Sequence, residues 1–253
     1  MGFIKNILGR IFALWAAVVF ISTMLIAFIP IWMIGLWKEP KRSYIMHKIY
    51  RSWMLTFFFF TGLRLRVKGK ENFSPGENYI VVYNHNSLID VPVSVPFMPG
   101  ANKTIAKTEL AKIPVFGLLY TRGSVLVNRK DEQSRKLSYV KMKEVLDMGL
   151  HMCIYPEGTR NKTDQPLQRF HDGAFRLSFD SGKSILPALI FNSKNVLPRK
   201  VFFFWPAKIE LHYLKPVSQK DFPASEKLKE HVFNLMKEYY LKNSISSNVV
   251  VKM

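Results

Sequence analysis

The sequence predicts an α/β domain, a mostly parallel or mixed central sheet flanked by helices, preceded by N-terminal membrane helices. Three observations predict it. Short apolar runs rich in Val, Ile and Tyr recur between residues 78 and 213, three of them ending in polar residues. Amphipathic stretches of helical length lie between them. The first 63 residues hold much of the apolar content of a chain that is 48% hydrophobic. Strands alternating with helices build a sheet covered on its faces by helices. The expected division is a membrane-embedded or interfacial helical segment over residues 1–63 and an α/β domain over residues 64–253.

From Ile11 to Trp37 the chain carries no charge over 27 positions. A straight helix of that length runs roughly 40 Å, beyond the ~30 Å hydrocarbon core of a bilayer. Pro30 interrupts it, so a kink or two unequal pieces is expected. Trp15, Trp32 and Trp37 are placed to anchor at an interface. A secretory leader is the competing reading, and the pattern argues against it, because the apolar stretch is too long and ends in Trp-Lys rather than a small-residue cleavage site. Lys38, Lys41, Arg42, Lys48 and Arg51 outweigh Lys5 and Arg10 on the other flank, which places the C-terminal side in the cytoplasm. Both flanks are basic, so a hairpin returning to the same face stays open. Trp53 to Leu63 is too short to span and reads as an interfacial or core helix.

The expected strands are Asn78–Tyr83, Ser124–Asn128, His151–Tyr155, Ile185–Ile190, Val201–Trp205 and Lys208–Tyr213. Pro187 argues for an edge or a bulge in the fourth. Helices are expected over Glu132–Met148, Gly173–Ser181 and Ser225–Leu241, with a frayed tail from Asn243. In such sheets ligands bind beyond the carboxyl ends of the strands. Three of those ends carry polar groups: His85, Arg129, and Glu157 with Arg160.

Lys and Arg number 37 against 18 Asp and Glu, a net charge of +19 that attracts anions. Nucleic acid and anionic lipid both qualify, but there is no run of five or six basic residues to make a nucleic-acid arm. One cysteine, Cys153, permits no internal disulfide and fits a reducing compartment. One Cys and six scattered His supply no metal-ligand spacing, so neither metal nor cofactor is expected. Gly182-Lys183-Ser184 lacks the glycine a P-loop needs, since Leu177 stands there, and no G-x-S-x-G is present.

The chemistry concentrates in three segments. In Asn84-His-Asn-Ser-Leu-Ile-Asp90, His85 and Asp90 are five apart and do not share a helical face, so they meet only across a turn. Asp90 would then fix the imidazole tautomer and leave the other ring nitrogen to take a proton from a hydroxyl. Alone, the pair reads more readily as a surface or satisfied core histidine. Gly123 to Arg129 delivers a guanidinium at a strand end, and Tyr155-Pro-Glu-Gly-Thr-Arg160 delivers a second after a tight turn. Two converging forks of N–H donors suit phosphate oxygens. Glu157 either holds these arginines, binds a substrate hydroxyl, or forms a structural ion pair with Arg160.

Together these segments resemble the glycerolipid acyltransferase family, which converts lysophosphatidic acid to phosphatidic acid. N-H-x4-D matches at Asn84, His85 and Asp90; G-x-[IV]-[FL]-[IV]-x-R from Gly123 to Arg129; [FY]-P-E-G-[TS]-R from Tyr155 to Arg160. An apolar strand with a central proline matches around Pro187, and Ala106-Lys107 with Ile113 to Gly117 looks like the linking segment. The resemblance covers roughly residues 79–190 in the family's order. It implies the glycerol-3-phosphate acyltransferase-like fold, with His85 as general base and Asp90 orienting it. It further implies Arg129 and Arg160 on the acceptor phosphate, Glu157, Gly158 and Thr159 shaping that site, Lys107 in substrate contact, and Pro187 near the acyl pocket. One departure stands out: His171 occupies the place of the lysine in the family's Phe-Lys-x-Gly-[AT].

The implied donor is acyl-CoA or acyl-carrier protein, the acceptor lysophosphatidic acid, and the setting an anionic cytoplasmic membrane without nucleic acid. A thioester is activated enough to need no covalent enzyme intermediate, and an ordinary imidazole suits removal of the alcohol proton, an effect of about 10²–10⁴-fold. Another lysophospholipid, a lyso-ornithine lipid or glycerol 3-phosphate would use the same chemistry. The rival of a different class is a non-catalytic basic membrane-surface or nucleic-acid-binding protein.

Overall fold

The computed structural model describes residues 2–163, 165–199 and 202–249, with side chains as far as Ser244. Two helices lead, α1 (Phe3–Met33), extended by a 3-10 turn at Ile34–Leu36, and α2 (Lys41–Thr61). Then follow β1 (Arg64–Lys68), β2 (Ile80–Tyr83), α3 (Asp90–Phe97), β3 (Asn102–Lys107), α4 (Phe116–Gly123), β4 (Ser124–Val127) and α5 (Glu132–Asp147). The remainder is β5 (His151–Ile154), α6 (Gly173–Ser181), β6 (Ile185–Phe191), α7 (Ser193–Val196), β7 (Lys208–Tyr213) and α8 (Ser225–Val249).

The strands form one seven-stranded sheet in the order β1-β7-β6-β2-β5-β3-β4. From β6 to β4 all neighbours are parallel, whereas β7 runs antiparallel to β6 and pairs in parallel with β1. The central strands read as continuous apolar runs because both faces are covered. Side chains alternate across a strand. Val81, Tyr83, Cys153 and Leu186 therefore join Ala13, Trp53, Met54 and Val93 of α1, α2 and α3 in one core. Ile80, Val82, Met152 and Leu189 join Met142, Phe175 and Val232 of α5, α6 and α8 in the other.

Several sequence expectations change. Val201 lies outside the described residues, and Phe202–Trp205 forms no strand. This segment packs on a helix instead of a ladder: the Phe204 N–H donates to the Gly9 carbonyl of α1 at 2.9 Å, and the Trp205 N–H to Val196 at 2.9 Å. Pro187 lies not on an edge strand but inside the sheet, opposite Val82 of β2. Its missing N–H falls at a bulge, the other half of the expectation. Leu214 donates to the Pro187 carbonyl at 2.8 Å and Val217 pairs with Ile185, so two residues on that side face one, Leu186, in β6. The tail expected to fray at Asn243 continues as helix to Val249.

β1, β3, α3 and α4 were not foreseen as such. β1 is an edge strand with a charged alternation, Arg64-Leu-Arg-Val-Lys68, and α3 carries Pro92 and Pro96. α1 runs on through Pro30 to Met33. With its extension, Phe3–Leu36, it is long and apolar enough to cross a membrane by length and composition. Gly9 is small because the Phe203 ring occupies the space a side chain would take. Gly9→Val is expected to lower stability by about 1–3 kcal/mol through overpacking, read as a depressed thermal midpoint in detergent.

Candidate active site

β2 ends at Tyr83 and α3 begins at Asp90, so the intervening six residues make the turn that His85 and Asp90 need. Asn84 secures its start. Fully buried, it donates from Nδ2 to the Ile190 carbonyl at 3.0 Å and accepts the Ile190 N–H at 2.7 Å, continuing the β2–β6 pairing with a side chain. Asp90, 0% exposed, opens α3, where a negative charge faces the positive end of the helix dipole. One oxygen, Oδ2, accepts His85 Nδ1 at 2.9 Å, the Asn86 N–H at 2.6 Å and the Ser87 N–H at 2.7 Å. A carboxylate oxygen so engaged carries no proton, hence Nδ1 of His85 is the protonated nitrogen. Nε2 is left with a lone pair and no protein partner among the described residues.

The imidazole rests on the Tyr155 ring, centroids 4.4 Å apart. Burial pushes the Tyr155 phenol well above the usual tyrosine range, so its hydroxyl stays neutral and shares a 2.6 Å hydrogen bond with Ser94 Oγ. An aromatic face beneath the ring favours the cation formed when His85 accepts a proton.

Glu157 differs from its expected place. It is 2% exposed and turned inward, away from both arginines: Oε1 accepts the His85 N–H at 2.8 Å and Oε2 the Gln168 N–H at 3.0 Å. Burial pushes its carboxyl up to about 7; the two backbone donors oppose the shift and the charge on Asp90 adds to it. Gly158 has φ +69°, the left-handed region, and a Cβ there would meet His171 at 2.9 Å. The His171 ring thus lies against the same turn. Arg129, exposed beyond β4, donates to the Gly158 carbonyl and is tied to this loop. Arg160 is half-buried, its guanidinium without a protein partner among the described residues, and Thr159 is exposed. Lys107 is exposed at the end of β3, paired in register with Val127 on the strand that leads to Arg129.

Pro187 is not among the residues that line the apolar cavity. It shares its sheet face with Ile185 and Leu189, whereas the cavity of about 90 Å³ opens on the other face, among Phe20, Trp53, Met54, Val91, Val95 and Phe116. Asn161 and Gln168, which join the loop to His85, were not foreseen; polar residues in a loop give no periodic signal. Among the described residues no cluster of three or more metal-ligating side chains occurs.

An α/β sheet with an oriented imidazole at a strand end, a guanidinium without a protein partner among the described residues on the neighbouring loop, and an apolar cavity lined by the helix that Asp90 begins has the layout of a group-transfer enzyme acting on an anionic, apolar substrate. The Acyltransferase family model matches residues 64–191. A 1-acyl-sn-glycerol-3-phosphate acyltransferase of Helicobacter pylori is 31% identical over 184 residues, 72% of this chain and 76% of that one. One from Borreliella burgdorferi is 27% identical over 68% of each chain. The alpha enzyme of Bos taurus is 30% identical over 67% of this chain but 60% of its own length. The crystal structure of the LPA acyltransferase PlsC from Thermotoga maritima superposes with a TM-score of 0.77 at 25% identity, covering 94% of this chain and 96% of that one. The chain belongs to the Acyltransferase family and is an acyltransferase.

Glu157 also sets a pH dependence. Its folded value near 7 lies above the ordinary 4.5, so between these values the native state binds a proton that the unfolded chain has released. Stability therefore falls as pH rises from about 4.5 to 7. Glu157→Gln is expected to flatten that slope by roughly 1–3 kcal/mol, seen as urea midpoints compared at pH 5 and 8 in detergent.

Proposed function

We propose that the chain transfers a fatty acyl group from acyl-CoA or acyl-carrier protein to the free hydroxyl of lysophosphatidic acid, giving phosphatidic acid for phospholipid synthesis. The observation that carries this reading is His85, anchored through Nδ1 to buried Asp90 while Nε2 has no protein partner among the described residues. The names of the relatives support the acceptor. Nε2 takes the hydroxyl proton as the oxygen attacks the thioester carbonyl. The tetrahedral intermediate collapses, the C–S bond breaks, and the imidazolium returns the proton to the departing thiolate. Asp90 stabilises the imidazolium meanwhile. Arg160 and Arg129 hold the acceptor phosphate, and the cavity beside α3 receives the acyl chain. At about 90 Å³ it is smaller than a fatty chain, which enters only by displacing side chains such as Phe116.

The membrane reading follows from how α1 is held. Near its start Gly9 takes the Phe204 N–H, and near its end Arg122 of α4 donates to the Ile31 and Trp32 carbonyls. A 31-residue helix is about 46 Å long. With both ends fastened to one α/β domain it lies along one bilayer face, its exposed row of Ile7, Leu14, Val18, Ile21, Leu25 and Ile29 in the lipid. Residues 1–63 then form the membrane-embedded unit and residues 64–253 the catalytic one, on the cytoplasmic leaflet.

The test is a matrix of donors against acceptors in detergent, with His85→Ala as blank. His85→Ala is expected to lose at least ~10³-fold in turnover while remaining folded. Arg160→Ala should raise the acceptor KM, and equal activity on an acceptor lacking phosphate would remove the arginines' role. Val95→Phe, which fills the cavity, should shift preference toward shorter acyl chains, measured by competition between donors.

A further inference from the structure

Four hydrogen bonds close a circuit around the main chain of His85. Its N–H donates to Glu157 Oε1 at 2.8 Å, and Glu157 Oε2 takes the Gln168 N–H at 3.0 Å. Gln168 Nε2 donates to Asn161 Oδ1 at 3.1 Å, and the Asn161 N–H returns to the His85 carbonyl at 2.6 Å. Gln168 Nε2 also lies 3.5 Å from the Arg160 carbonyl. The residue bearing the free guanidinium thus sits within the circuit that grips the imidazole's backbone. Asn161 is 1% exposed and Gln168 half-buried, so the circuit is partly shielded from competing water.

We infer that Gln168, with Asn161, is a positioning residue: it sets the distance between the base, His85, and the phosphate-binding guanidinium of Arg160. This rests on the assignment of His85 as base. The phosphate and the reacting hydroxyl belong to one acceptor molecule, so its productive pose demands a fixed separation between the group that holds the one and the group that deprotonates the other. Side chains fixed only at their own strand ends would leave that separation to loop motion. The circuit removes that freedom, and Gln168 is its one side-chain link between the Glu157 and Asn161 halves.

Two variants isolate the link. Gln168→Ala removes it. Gln168→Glu keeps the volume but replaces the donor with an acceptor, which cannot bond Asn161 Oδ1. Both are expected to lower kcat by about 10–10²-fold, the cost of a misplacement near 1 Å, while the acceptor KM stays within about threefold and the thermal midpoint is retained. The imidazole ¹⁵N spectrum of His85 should broaden in both. Unchanged kcat in Gln168→Ala overturns the inference. So does a kcat loss that tracks a fallen midpoint, which means a merely structural role, or activity in Gln168→Glu equal to wild type. A His85→Ala enzyme that still turns over sinks the catalytic reading instead, and the two failures are told apart by that blank.

Discussion

The Oδ2 atom of Asp90 accepts three donors at 2.6–2.9 Å, two of them main-chain N–H groups, in a place without solvent access. A buried carboxylate is costly unless its charge is met by such donors, and here the donors come from the turn itself. Folding the turn and stabilising the charge are therefore one event. Without Asp90 the Asn86 and Ser87 amides would be buried and unsatisfied, and the His85 ring would lose both its tautomer and its orientation. Asn84 fixes the same turn from the other side through Ile190, and the Glu157–Gln168–Asn161 circuit fixes it from a third. Among the described residues, Nε2 is the one polar atom of His85 without a hydrogen-bond partner.

That concentration of constraint explains where the rest of the molecule sits. The turn is seated on a parallel sheet, whose central strands are rigid because both faces are buried. The carboxyl ends of β2, β5 and β4 point the same way, so His85, the Glu157–Arg160 loop and Arg129 gather at one edge. β4 is the edge strand, two removed from β5, and Arg129 spans the gap to the Gly158 carbonyl with its long side chain. A short residue there would not reach.

Much of this was legible from the sequence, for identifiable reasons. β2, β5 and β6 are nearly continuous apolar runs and β7 alternates polar with apolar residues, patterns that survive without knowledge of partners. β1 escaped because an edge strand keeps charges on its open face, and α3 because two prolines mask a helix whose stability comes from burial of Val93 and Phe97. Phe202–Trp205 misled in the opposite direction. Its aromatic run has strand composition, but its neighbour is a helix with a glycine gap, and composition does not specify the neighbour. The His85–Asp90 turn could be read because five-residue spacing excludes a helix. The inward turn of Glu157 could not, since the same carboxylate in the same loop serves equally to hold an arginine or to accept main-chain donors, and only the buried setting decides between them.

The apolar cavity shows why the N-terminal helices are more than a tether. Phe20 of α1 and Trp53 and Met54 of α2 line it together with Val91 and Val95 of α3, the helix that Asp90 begins. Trp53 is itself placed by a 3.0 Å hydrogen bond to Thr23 of α1, and Tyr50 by one of 2.8 Å to the Leu119 carbonyl of α4. Four of the residues of the wall, Phe20, Tyr50, Trp53 and Met54, are therefore supplied by elements whose outer face is apolar and exposed. An acyl chain entering from lipid would leave one hydrocarbon medium for another, so burial alone contributes little to its binding. Selectivity among chains must then come from the shape of that wall, and the shape depends on how α1 and α2 are pressed against the domain. On the proposed reading, the surface that meets the membrane and the surface that measures the chain are two sides of the same pair of helices.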